Sequence, residues 1–220
     1  QARKNLGDRL IELGDLGPLA ALGMMKHVPT PAGCDVGWCH EVDAAIGYRD
    51  FTAVADRSSP GALNSLTLTT AAAQILDKIP AVIGISDGGE IGQWVQSVLT
   101  KHIKMINGVS GAIGGSLSYG MAAKLANPDS VVMVFMGDGT VGFHLAEFET
   151  AVRENLPIIV VIGNDLCWNA EVTIQERDYG PDRAIGCYLS DARYDKVAEA
   201  LGGHGEYVET LAALEPAFAR

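Results

Sequence analysis

From residue 62 onward the chain alternates between two kinds of text. Short apolar runs, AVIGIS (81–86), SVVMVFM (130–136) and PIIVVIG (157–163), stand between stretches whose apolar residues recur every three or four positions. The runs predict buried strands, and LTTAAAQILDKI (68–79), IGQWVQSVL (91–99) and HLAEFETAVREN (144–155) predict helices. MINGV (105–109) is a shorter segment that feeds a Gly-rich helix, GAIGGSLSYGMAAKLA (111–126). After a polar stretch, YDKVAEALG (194–202) and LAALEPAFA (211–219) follow as helices. A strand apolar at every position is buried on both faces, so the pattern predicts a doubly wound α/β fold, a parallel sheet flanked by helices. Such sheets bind ligands at the carboxyl ends of their strands. Three loops sit there: SDGGE (86–90), GDGTVG (137–142) and NDLCWN (164–169).

Residues 1–60 read differently. NLGDRLIEL (5–13) has a helical pattern, Gly/Pro-rich text follows, and HEVDAAIGY (40–48) is a short further segment. That is too little apolar periodicity for a separate core, so 1–60 is expected to be a partial N-terminal segment and 62–220 the main domain. The turn formers of DRSSPGALNS (56–65) mark the boundary.

Composition removes several function classes. With 48% hydrophobic and 20% charged residues, the chain can bury a sizeable core. No apolar run reaches the ~18 residues that a membrane span needs, and the first ten residues lack the apolar core of a signal peptide. A formal charge of −11 argues against binding to nucleic acid or anionic lipid, leaving small molecules and other subunits as partners. Cys34, Cys39, Cys167 and Cys187 form no C-x-x-C pair and have no zinc spacing, which predicts buried or free thiols in a reducing, cytoplasmic setting, with a Cys34–Cys39 metal or redox pair as the minor alternative.

GDGTVG matches the G-x-G-x-x-G turn of dinucleotide sites, and Asp165, 23 residues beyond Gly142, stands near the place of a ribose-binding acid. An NAD-linked oxidoreductase is therefore one reading. Charge favours another. Asp138 lies between the glycines of a turn that would approach a pyrophosphate, and a bare carboxylate repels phosphate unless a cation bridges them. Mg²⁺ suits that role, since it takes one or two carboxylates together with phosphate oxygens. Asn164-Asp165, at the end of the next strand, can supply the remaining protein ligands. Gly137 and Gly139 allow backbone approach, and the helix N-terminus at Thr140 adds N–H donors.

Gly137-Asp138-Gly139, a further 24 residues, then Asn164-Asp165 resembles the fingerprint of thiamine-diphosphate-dependent enzymes, in the superfamily of acetolactate synthase, oxalyl-CoA decarboxylase and 2-hydroxyacyl-CoA lyase. The resemblance extends over 62–220. It implies thiamine diphosphate and Mg²⁺ as cofactors, and a lyase, decarboxylase or carboligase acting on 2-keto acids or 2-hydroxyacyl-CoA. It also implies Asp138, Asp165 and the Cys167 carbonyl as metal ligands. This chain has Asp165 where the family carries a second Asn, so Asp165 and Asn164 compete for that place, with Asp165 favoured. Gly139 and Thr140 would hold the diphosphate. Gly111-Ala112-Ile113 resembles the turn that meets the aminopyrimidine, with Ile113 as the apolar wedge beneath the cofactor.

Gly88-Gly89-Glu90 resembles the segment that closes over diphosphate and substrate, but Glu90-Ile91-Gly92 departs from the synthases' Gln-His-Gln, which points to a different substrate. CHEVDAAIGY (39–48) is similar to the setting of the glutamate that activates the cofactor, making Glu41 the catalytic candidate in a shortened pyrimidine-binding domain. The family builds its site between subunits, so a homodimer or homotetramer is expected, or a partner chain that supplies missing domains. A non-catalytic cofactor-binding subunit is the third reading.

Overall fold

The computed structural model describes residues 63–99, 103–106 and 112–220. The helix expected over 5–13, the segment 40–48 with Glu41, the boundary before Leu63, Gly111, and the pair Cys34 and Cys39 all lie outside the described residues.

The first described helix, α1 (Ser65–Leu76), begins where its sequence supplies its own cap. The Asn64 side chain accepts the Thr67 amide and the Thr67 hydroxyl accepts the Asn64 amide, both at 2.9 Å, which satisfies two of the donors a helix start leaves open. Next come β1 (Val82–Ser86), α2 (Gly89–Val98) and β2 (Ile103–Ile106). They are followed by α3 (Ser116–Ala126), β3 (Val131–Gly137) and a single turn, α4 (Asp138–Val141). Then α5 (Glu147–Arg153), β4 (Ile159–Gly163), α6 (Asn169–Tyr179), α7 (Tyr194–Ala200) and α8 (Leu211–Ala219) complete the described chain.

The strands form one parallel sheet in the order β2-β1-β3-β4. Alternation along β3 explains its uninterrupted apolar text. Val132, Val134 and Met136 join Ile83, Ile85, Leu117 and Phe148 on one face, while Met133 and Phe135 join Ala72, Leu76, Val95 and Leu99 on the other. Chain order reverses between β1 and β3, since β2 lies beyond β1 on one side and β4 beyond β3 on the other. A crevice opens at the carboxyl end of such a switch point. Among the described residues β4 has a partner only on its β3 side, and Ile159 there is 38% exposed.

The doubly wound architecture expected from the hydrophobic pattern is therefore present, with differences of detail, among them that the Gly-rich helix expected over 111–126 begins at Ser116. Strand β2, Ile103–Ile106, takes in the first two residues of MINGV, and 107–109 lie outside the described residues. GDGTVG is not all loop, because Asp138–Val141 turns once as helix with the Thr140 hydroxyl and the Gly137 backbone bonded to one another at 3.1 Å. The polar stretch after Trp168 contains a full helix, α6.

Phe135, fully buried at the centre of β3, is the test of this core. Phe135→Ala is expected to lower stability by about 3–5 kcal/mol, read from the midpoint of urea unfolding.

Candidate cofactor and metal site

Parallel pairing decides what meets at the crevice. Gly137 of β3 pairs with Gly163 of β4, so the next residue of each strand, Asp138 and Asn164, emerges side by side at the carboxyl edge. Asp138 is 2% exposed. Its Oδ1 accepts the Gly139 amide at 2.9 Å, whereas Oδ2 is buried with no hydrogen-bond partner. Asn164 Oδ1 is likewise buried and unpartnered, while its Nδ2 donates to the Ala192 carbonyl at 3.4 Å. Two orphaned oxygens at adjacent strand ends need a cation or donor, because an unpaired buried polar atom costs on the order of 1–3 kcal/mol.

Electrostatics agree with the geometry. Burial pushes the Asp138 carboxyl above the usual carboxylate range; the Asp165 charge adds to this, and the Gly139 and Leu166 amides oppose it. Asp165 itself is exposed, with its Oδ1 receiving the Cys167 thiol at 3.5 Å. Burial, with Asp165 next, drives that thiol to about 11, so Sγ stays protonated at neutral pH. The Cys167 carbonyl is a better oxygen donor. Trp168 N–H donates to Cys187 O and Leu189 N–H to Leu166 O, both at 2.7 Å, and these bonds bracket the Cys167/Tyr188 pair without using the Cys167 backbone. Leu166, at φ 63, makes the left-handed bend that presents this loop, a conformation uncommon for a non-glycine residue.

Gly139 lies against the Trp168 ring so closely that a Cβ would come within 2.7 Å of it, so the turn passes under that ring only because this position is glycine. The Tyr194 hydroxyl donates to the Asp138 carbonyl at 3.1 Å and holds the turn from the α7 side. Across the crevice stand Gly88, Gly89, Glu90 and Ile113, which line the same cleft as Gly137, Asp138, Gly139, Thr140, Asn164, Asp165 and Cys167. Glu90 is directed away from a free role, since its carboxylate accepts the Ser65 hydroxyl at 2.6 Å and the Trp94 indole N–H. Ala112 is exposed and Ile113 is 37% exposed.

Among the described residues no three His, Cys, Asp or Glu side chains gather as a closed metal shell. A site made of one buried carboxylate, an amide oxygen, a backbone carbonyl and an open side fits a hard cation that takes the rest of its oxygens from a phosphate ligand.

Residues 87–220 match the family described as thiamine pyrophosphate enzyme, C-terminal TPP binding domain. The chain belongs to this family. The domain is thus of the kind that binds thiamine pyrophosphate, and the nicotinamide reading of GDGTVG gains no support. The chain is 36% identical over 139 residues to a probable acetolactate synthase of Mycobacterium bovis, a match covering 62% of this chain and 25% of that protein. It is 33% identical over 147 residues to a 2-hydroxyacyl-CoA lyase of Arabidopsis thaliana, covering 64% and 26%. A 2-hydroxyacyl-CoA lyase 2 of Danio rerio is 37% identical over 98 residues, covering 44% and 16%. The chain therefore spans about a quarter or less of the length of these relatives. No helix among the described residues is long and apolar enough to cross a membrane.

Sequence reasoning missed Asp87 and Tyr194, two residues that shape this site. Asp87 stood inside a loop read for its glycines, and Tyr194 stood at the start of a helix read for its packing.

Asp138→Asn keeps an oxygen for the Gly139 amide and removes the buried charge. The apo protein is expected to gain about 1 kcal/mol in urea unfolding, at the expense of the metal site.

Proposed function

We propose that the domain holds the diphosphate of thiamine diphosphate through Mg²⁺, within a lyase, decarboxylase or carboligase acting on 2-keto acids or 2-hydroxyacyl-CoA. The observation that carries this reading is the pair of unpartnered oxygens, Asp138 Oδ2 and Asn164 Oδ1, that the strand register sets at adjacent strand ends. Asp138 and the Cys167 carbonyl are metal ligands in this reading, and the place between them goes to Asp165 or, in competition with it, to the unpartnered Asn164 Oδ1. Gly137, Gly139 and Thr140 offer backbone to the diphosphate. Ile113, with Gly111 and Ala112, supports the aminopyrimidine, and the 88–90 segment borders the substrate. The bound cofactor supplies a carbon nucleophile that serves as an electron sink when a C–C bond is made or broken.

The chain's own share is to bind, to orient and to exclude water. Gly139 and the metal ligands neutralise and fix the diphosphate, and the apolar wedge Ile113 limits where the ring can lie. The relatives' names suggest both substrate classes, acetolactate synthase for 2-keto acids and 2-hydroxyacyl-CoA lyase for CoA thioesters. Glu41 is the proposed proton-handling residue at the cofactor's aminopyrimidine, contributed within a homodimer or homotetramer, or replaced by a partner chain's equivalent.

Thermal melts with and without ligand test the cofactor reading. Thiamine diphosphate with Mg²⁺ is expected to raise the Tm, as any ligand selective for the native state must, and NAD is expected to leave it unchanged. Asp138→Ala should abolish the shift and Asp165→Asn should retain it; a shift with NAD alone would overturn the assignment. For the assembly, sedimentation of the complete protein should show at least a dimer strengthened by cofactor, and Glu41→Gln should bind Mg²⁺ while losing most C2 proton exchange.

A further inference from the structure

The crevice contains a buried acid that binds no part of the proposed metal shell. Asp87, the residue after β1, is 0% exposed. Its Oδ1 accepts the Gly88 amide at 2.7 Å and the Gly114 amide at 2.9 Å. Its Oδ2 accepts Gly114 again at 3.0 Å and Ser116 at 3.2 Å. Its own backbone N–H donates to Phe135 O on β3, two residues before Gly137, at 2.9 Å. One residue thus joins β1 to β3 through its backbone N–H and to a loop 27 to 29 residues further along the chain through its carboxylate.

That loop is also held from the opposite side. His144 Nδ1 lies 2.8 Å from the Gly114 carbonyl. A carbonyl oxygen only accepts, so Nδ1 carries the proton in this contact. Phe143 packs against Gly114 so tightly that a Cβ there would fall within 2.8 Å of Phe143 Cβ, and Gly114 has φ +87. Only glycine meets both conditions without strain. Phe143 in turn meets the Trp168 ring edge-on at 6.0 Å, and Trp168 lies over Gly139.

We propose that Asp87 and His144 are positioning residues that grip Gly114 through its backbone N–H and its backbone C=O, in the two peptide groups that flank its Cα. They thereby hold Ile113, the ring-supporting side chain next to it, at a fixed place relative to the Asp138-Gly139 turn. The inference rests on the thiamine diphosphate reading above. Its content is that the ring end and the diphosphate end of the ligand are registered against one another by this chain alone, through Gly114. His144 stands two residues after the GDGTVG turn and Asp87 directly after β1, so a shift of either loop is transmitted to the other. Loss of the grip leaves the diphosphate cradle intact and frees the loop that carries Ile113.

Two probes separate those ends: thiamine diphosphate with Mg²⁺, which uses both, and inorganic pyrophosphate with Mg²⁺, which uses one. Isothermal titration calorimetry on the parent protein, His144→Ala, His144→Asn and Asp87→Asn gives the readout. His144 is exposed, so its removal does not threaten the fold and keeps the test valid where Asp87→Asn proves unstable. His144→Ala and Asp87→Asn are expected to weaken thiamine diphosphate about tenfold, the scale of one or two lost hydrogen bonds. Pyrophosphate affinity should stay within about twofold, and His144→Asn, whose amide can still donate to the Gly114 carbonyl, should restore most of the loss. Equal weakening of both probes would overturn the proposal, since it would make these residues supports of the diphosphate cradle. Unchanged affinity for both would overturn it as well. Failure of the parent protein to bind either probe would defeat the cofactor reading, and the inference with it.

Discussion

Asp138 carries a negative charge at a place where burial opposes it. Its carboxylate is enclosed between two strand ends, one oxygen capped by a backbone amide and the other left without a partner. The parallel register that sets Gly137 against Gly163 brings a second unpartnered oxygen, that of Asn164, beside it. Neither oxygen is satisfied by the protein, and the neighbouring Asp165 adds repulsion. Folding leaves this arrangement with a cost that, in the reading proposed above, a cation and its phosphate ligand would offset. The remaining features of the crevice agree with that reading: a glycine that lets the turn pass beneath Trp168, a carbonyl kept outside the ladder at Cys167, and a tyrosine that steadies the turn from behind.

The crevice exists because of sheet order. Reversal between β1 and β3 separates the helices that follow those strands and leaves a gap at their carboxyl ends. The five apolar residues buried along β3 make its end a rigid platform, since shifting Asp138 would mean shifting a strand packed on both faces. Rigidity is useful at such a point. A ligand set that must match a small cation's octahedron gains affinity from groups that need not reorganise.

Much of this was legible in the residues. Continuous apolar runs separated by amphipathic stretches marked β1, β3, β4 and most helices, because burial on both sheet faces leaves a mark that composition alone cannot imitate; β2, with Lys104 inside it, carries no such run. The pairing of Asp138 with Asn164-Asp165 was legible for the same reason, each lying just after such a run. Helix α6 was not, since NAEVTIQERDY buries only Val172 and shows no apolar stripe to read. Asp87 was hidden differently. Its partners lie almost thirty residues away, and nothing in SDGGE distinguishes an acid that binds a distant loop from an ordinary turn former. The 88–90 segment shows the converse: Glu90 reads as part of a segment that closes over diphosphate and substrate, yet Ser65 and Trp94 already occupy its carboxylate.

Strand β4 brings these threads to the open side of the sheet. Its apolar backbone is paired along one side only among the described residues, and a row of unused N–H and C=O groups on a hydrophobic strand is a template for another strand. The same strand ends at Asn164 and Asp165. Whatever packs against that edge therefore stiffens the half of the crevice that β3 does not control, because the edge and the Asn164-Asp165 loop are one segment of backbone.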